Sequence, residues 1–162
     1  MAGYPSCMLY VCEVSDRTSE NYDGPCDTGT SLAILAEEFP TMDFSKVDSI
    51  YPDKSYNTPY AFRRSANLER GQECLRRLYA RSEAVIAVVT HSGFLRTSIS
   101  KRRYDYADYR IFGFRSDSKT GRLSLVEDAE TARKGGGMGR SSKGVQTVRA
   151  WDFPSSDDED EK

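Results

Sequence analysis

The single histidine of this chain sits where a side chain can do chemistry. The run at 84–90, Ala-Val-Ile-Ala-Val-Val-Thr, is apolar almost throughout, ends on His91-Ser92-Gly93 and passes at once into Phe94-Leu95-Arg96. A strand that turns directly into a helix sets a residue at the carboxyl edge of a sheet. The free N–H groups of the helix start then point at whatever binds there, which suits an anion. His91, Ser92 and Gly93 are therefore the candidate phosphate-binding residues. Plainer roles stand beside this one: a strand-end histidine bonding a neighbouring carbonyl, and a serine capping the helix.

Composition narrows the alternatives. At 162 residues the chain is one domain by size, with 38% hydrophobic and 30% charged residues, which reads as soluble. A formal net charge of −2 gives no global attraction to nucleic acid or to an anionic membrane, so any phosphate site must be local. No apolar run approaches the ~20 residues needed to span a bilayer. Residues 1–5 lack a basic stretch leading into an apolar one, so a cytoplasmic protein is expected. Cys7, Cys12, Cys26 and Cys74 form no Cys-x-x-Cys pair, and with one histidine a zinc site is not expected. Buried free thiols are expected instead, and neither a metal nor an organic cofactor is implied.

The elements that must position His91 follow from periodicity. Residues 7–12 form a second apolar run, short enough for a buried strand, and it closes on Glu13. Residues 15–29 have the composition of a long loop. A helix is expected from a Thr30 or Ser31 cap to Phe39, with Pro40 stopping it. Over 60–81, Ala61, Leu68, Cys74, Leu75, Leu78 and Tyr79 recur at helical spacing, with Gly71 weakening that helix by about 1 kcal/mol relative to alanine. Its arginines, Arg63, Arg64, Arg70, Arg76, Arg77 and Arg81, interleave with Glu69, Glu73 and Glu83 and read as a solvated face, not a nucleic-acid stripe. The 84–90 strand follows, then a helix over 94–100 in which Arg96 is expected to be exposed. The stretches 109–114 and 122–126 alternate around Lys119-Thr120-Gly121 and predict a hairpin. Gly135-Gly136-Gly137 lacks the partners of a phosphate-binding loop and reads as linker, and 155–161 is an acidic run in which Ser155 and Ser156 suit an acidophilic kinase.

Three stretches in order resemble the histidine phosphatase superfamily, the phosphoglycerate-mutase-like proteins, and most closely their fungal type. They are Glu13 with Pro25-Cys26-Asp27-Thr28-Gly29; Glu38-Phe39-Pro40, Asp43-Phe44-Ser45 and the aromatic-Pro-Asp-Lys stretch ending at Lys54; and Val88 to Leu95 with Asp108-Tyr109-Arg110-Ile111-Phe112. The resemblance implies an α/β fold, a three-layer, mostly parallel sheet of the phosphoglycerate-mutase-like type, truncated at its amino-terminal side. It implies an incomplete α/β domain over 1–128, while the composition of 129–162 reads as a disordered Gly/Ser/Lys-rich linker with an acidic tail.

The same resemblance implies phosphoryl transfer or phosphomonoester hydrolysis on a small phosphorylated ligand. A first histidine attacks the phosphoryl group, two arginines and a second histidine hold its oxygens, and an acid protonates the leaving oxygen. His91 matches the second histidine and Glu13 the acid, so these are the catalytic candidates. The Arg-His-Gly nucleophile motif is absent, and the chain starts where the family is about midway through its fold. A catalytically silent fragment acting as a weak phosphate-ligand or partner-binding module is the alternative to an enzyme. With the first strand absent, the 84–90 strand would lose a neighbour and dimerise through that open edge, or repair it with 7–12.

Overall fold

The computed structural model describes residues 20–134 and 144–154, and Glu13 and the 7–12 run lie outside them. Ser31 leads in extended backbone into helix α1 (Leu32–Glu38), which Phe39 closes ahead of Pro40. Helix α2 (Arg64–Tyr79) is the long element that the apolar spacing predicts. Its buried residues fall on two adjacent rows of i, i+4 spacing, Ala66–Arg70–Cys74 and Asn67–Gly71–Leu75. The arginine inside that stripe departs from the expected solvated face.

Past His91 the chain forms α3 (Ser92–Phe94), which continues as a π-helix over Leu95–Ile99. The Ser100 N–H closes it by donating to the Leu95 carbonyl at 2.8 Å, five residues back. This turn packs across α2 at Gly71, where an added Cβ would lie 2.8 Å from Ser98 Cβ and 2.9 Å from the Ser98 carbonyl oxygen. Gly71 thus gives up helix propensity so that two backbones can meet. Phe94 and Leu75 fill the contact, 0% and 1% exposed, each contributing about 1.5–3 kcal/mol by burial.

Strands β1 (Phe112–Ser116) and β2 (Leu123–Glu127) form an antiparallel hairpin in which Phe114 faces Leu125. Its turn forms as expected. Gly121 adopts a positive φ of 67°, and the Asp117 carboxylate accepts from the Thr120 and Lys119 N–H groups, which hold its pKa low. Leu123 is buried against α2, whose Gln72 donates to the Leu123 carbonyl at 3.2 Å.

The described residues are thus mixed helix and strand, with one two-stranded antiparallel sheet and no parallel pair among them. The 84–90 stretch carries no strand there, and Val89 is 94% exposed. A strand exists only through its hydrogen-bonded neighbour, and no described strand lies beside this one.

Beyond residue 128, two described stretches pack on the rest. Helix α4 (Ala129–Lys134) brings the buried Thr131 hydroxyl to the Ile111 N–H at 3.2 Å. Residues 144–154, with a short 3₁₀ turn at Ala150–Asp152, dock through Phe153, which is buried and tilted against Phe62 at 5.9 Å. Asp152 forms a two-pronged ion pair with Arg96 at 2.8 and 2.9 Å, so Arg96 is engaged where an exposed side chain was expected. The guanidinium holds the Asp152 carboxyl below its ordinary range. No helix among the described residues is long and apolar enough to cross a membrane.

Glu127 ties the hairpin to the chain leaving the π-helix. Its carboxylate accepts from Arg102 Nε and from Arg110, 2.6 Å away, and the Arg110 and Glu127 side chains are 0% and 3% exposed. Burial pushes the Glu127 carboxyl up, but the two guanidiniums outweigh it and hold its pKa low. Removing one member of such a buried group costs about 3–5 kcal/mol, so Glu127→Gln should lower unfolding stability by an amount of that order at pH 7. Because the folded-state pKa is depressed, the charged interaction is fully present above the usual glutamate range and is lost as pH falls through the lower folded value. Urea unfolding should show the gap between wild type and variant narrowing in acid. A gap that is absent at pH 7, or constant with pH, would contradict this role.

Candidate active site

The turn that begins α3 is built on a polar knot beneath it. Thr97 is buried in the π-helix, and its hydroxyl donates to the Gly93 carbonyl at 2.8 Å. The same oxygen accepts from Asn21 Nδ2 at 2.7 Å and from Asn67 Nδ2 at 2.6 Å. Both amide oxygens accept from Arg70, each at 3.2 Å, and its guanidinium lies over the Phe94 ring at 4.9 Å. Asn21, Asn67 and Arg70 are all buried. The loop starting at residue 20 is thereby fastened under the turn that carries His91.

A second fastening comes from Lys54. Its ammonium donates to the backbone carbonyls of Glu20 at 2.9 Å, Tyr22, and Asp27 at 2.8 Å. Burial lowers its pKa, with Arg70 adding to the effect and Asp27, Glu20 and Asp23 opposing it. Hydrogen bonds from a charged donor contribute about 1.5–3 kcal/mol each, enough to hold a loop that has little secondary structure of its own.

The outcome is a carboxylate beside the histidine. Glu20 Oε2 lies 3.7 Å from His91 Nδ1; the Glu20 side chain is 18% exposed and the imidazole 56%. The other oxygen, Oε1, accepts from the Asn21 N–H at 2.7 Å. Gly93 makes room: a Cβ there would stand 2.5 Å from Glu20 Oε1. His91 and Gly93 thus meet at one point with Glu20. Ser92 does not cap the helix, whose N-terminal cap is His91 without a side-chain bond. Its hydroxyl instead donates to the Tyr104 carbonyl and accepts the Tyr104 N–H, at 3.1 and 3.2 Å.

Glu20, Arg70 and Asn67 are among the residues here that were not expected. Glu20 lies in a stretch of loop composition, and its one signal is its place just before Pro25-Cys26-Asp27-Thr28-Gly29. Arg70 and Asn67 could have been found, because Arg70 is spaced four residues from both Ala66 and Cys74 along the apolar stripe, with Asn67 beside it. Of the described cysteines, Cys74 is buried as expected, whereas Cys26 is exposed. The Asp27 carboxylate beside Cys26 raises its thiol pKa. No cluster of His, Cys, Asp and Glu suited to a metal ion occurs among the described residues.

No protein-family model and no solved structure matches the chain. A stretch of 71 residues is 38% identical to phosphoglycerate mutase-like protein 1 of Arabidopsis thaliana. It makes up 44% of this chain and 25% of that relative, so the chain matches about a quarter of the relative's length. The similarity supports kinship with the phosphoglycerate mutase-like proteins.

The space at Gly93 gives a direct test of the site's geometry. Gly93→Ala pushes the Glu20 carboxylate, the far end of a flexible side chain, off its position at little cost in stability. Amide resonances of Glu20, Asn21 and His91 should move together. Unmoved Glu20 and Asn21 resonances would show that the carboxylate does not sit against this turn.

Proposed function

We propose that this chain carries part of a phosphoryl-handling site of the histidine phosphatase type, corresponding to the carboxyl-terminal portion of a fungal-type phosphoglycerate-mutase-like protein. The family's three-layer, mostly parallel sheet and its phosphoryl transfer or phosphomonoester hydrolysis belong to this proposal. What carries it is the approach of Glu20 to His91 across Gly93. In this proposal His91 is a ligand of a phosphoryl oxygen, with the Ser92 and Gly93 backbone beside it. Glu20 takes the role of the acid that gives a proton to the leaving oxygen, a role the sequence resemblance had placed on Glu13.

The chain has one histidine, and the family's chemistry uses two. A phosphohistidine nucleophile beside His91 is therefore not supplied by residues 1–162. The second reading, a silent phosphate-ligand module, is favoured by that count.

Two measurements separate these readings. The 162-residue chain should hydrolyse an aryl phosphate no faster than background, while inorganic phosphate should shift the Ser92 and Gly93 amides with millimolar affinity, about −4 kcal/mol. Turnover that disappears in His91→Ala, with acid-labile phosphate on His91, would overturn the silent reading. Amides at His91, Ser92 and Gly93 that stay fixed throughout a phosphate titration would overturn the phosphate site itself.

A further inference from the structure

A cleft of about 370 Å³ opens beside the first half of α2, lined by Asn57, Thr58, Arg63, Glu69, Arg70 and Arg76 among others. That volume falls within the range of small-molecule sites. Its charged groups are not equivalent. The Glu73 carboxylate at its edge accepts from Arg76 at 3.1 Å and Arg77 at 2.9 Å, which settles those guanidiniums on a carboxylate. Arg63 has no such partner among the described residues. Its guanidinium lies over the Tyr56 ring at 5.0 Å, and its Nε is buried without a hydrogen-bond acceptor.

A buried N–H of a permanent cation without an acceptor is costly, and in native proteins it usually has an ion or water as its partner. The neighbouring groups do not meet this need. The Thr58 hydroxyl shares its one proton between the Asp53 and Ser55 carbonyls, at 2.7 and 2.9 Å, and its oxygen accepts no bond from Arg63 Nε. Arg63 is fixed in the cleft wall by its backbone, whose N–H donates to the Ala61 carbonyl and whose carbonyl accepts from Asn67. Its ring contact holds the guanidinium plane, so little rotamer freedom is lost when an oxyanion binds. The other wall includes Arg70, which reaches through Asn21 to the loop of Glu20.

We infer that this cleft is a second anion site, in which Arg63 receives the phosphate or carboxylate group of a small molecule. It is independent of any chemistry at His91. Asn57 and Thr58 form its rim, and Glu69, exposed on the same wall, disfavours ligands carrying several negative charges.

The test uses the whole chain labelled with ¹⁵N, titrated separately with inorganic phosphate and with acetate at constant ionic strength. Saturable shifts confined to residues 57–66 are expected with at least one of the two, and which one identifies the group the cleft takes. Binding there should weaken at least five-fold in Arg63→Gln, weaken less in Arg63→Lys, and stay unchanged in His91→Ala. The conservative lysine variant keeps the test valid if the glutamine variant does not fold. The inference is overturned if neither anion shifts residues 57–66, if Arg63→Gln or Arg63→Lys binds as well as wild type, or if His91→Ala abolishes the shifts.

Discussion

A threonine hydroxyl has one proton to give and room to accept two, and at Thr97 all three positions are filled inside the protein. It donates to the Gly93 carbonyl and accepts from Asn21 and Asn67. Each partner comes from a different part of the chain: the loop at residue 20, helix α2, and the turn after His91. Arg70 closes the arrangement from the far side by donating to both asparagine oxygens. The threonine hydroxyl and the two amides satisfy one another in this arrangement, and losing one would leave others buried and unmet. The same threonine bond takes the carbonyl four residues back, a type of bond that bends helices. It lies where the backbone relaxes to the π form and Ser100 bonds to Leu95.

From that knot the rest of the site follows. Asn21 is held, so Glu20 is held; Lys54 grips the same loop by its carbonyls, and Gly93 leaves the space into which the carboxylate fits. The imidazole remains half exposed above it. Charge groups of different kinds surround the site without entering it. Glu127 with Arg102 and Arg110 locks the hairpin to the chain after the π-helix, and Asp152 with Arg96 seats residues 144–154 on that helix. The helices and hairpin are thus joined by apolar packing around Leu75, Phe94 and Leu123 and by these ion pairs, while the apolar 84–90 stretch is largely exposed.

Local signals were legible in the sequence and long-range partners were not. The hairpin could be read because its alternation and its Lys-Thr-Gly turn lie within one short segment, and α2 because its apolar residues repeat at helical spacing. The 84–90 run has the composition of a buried strand, but a strand depends on what lies beside it, and composition carries no information about that neighbour. By residue type Arg70 is a surface charge, whereas its helical phase places it in the core. By propensity Gly71 weakens α2, whereas the close approach of Ser98 requires it. His91 stands out in the sequence as the one histidine, at the end of an apolar run. Its neighbour Glu20 does not, because Glu20 is brought to it through Asn21 and Thr97, which lie 76 residues apart in the chain.

The most direct measurement of this account removes the Thr97 hydroxyl while keeping its shape. In Thr97→Val, distance restraints between the Glu20 side chain and the His91 ring, from NMR of the full chain, should be lost. The chain should remain folded, with the hairpin resonances of 112–127 in place. If the Glu20–His91 restraints persist unchanged in Thr97→Val, the threonine knot does not position the site and the account is wrong.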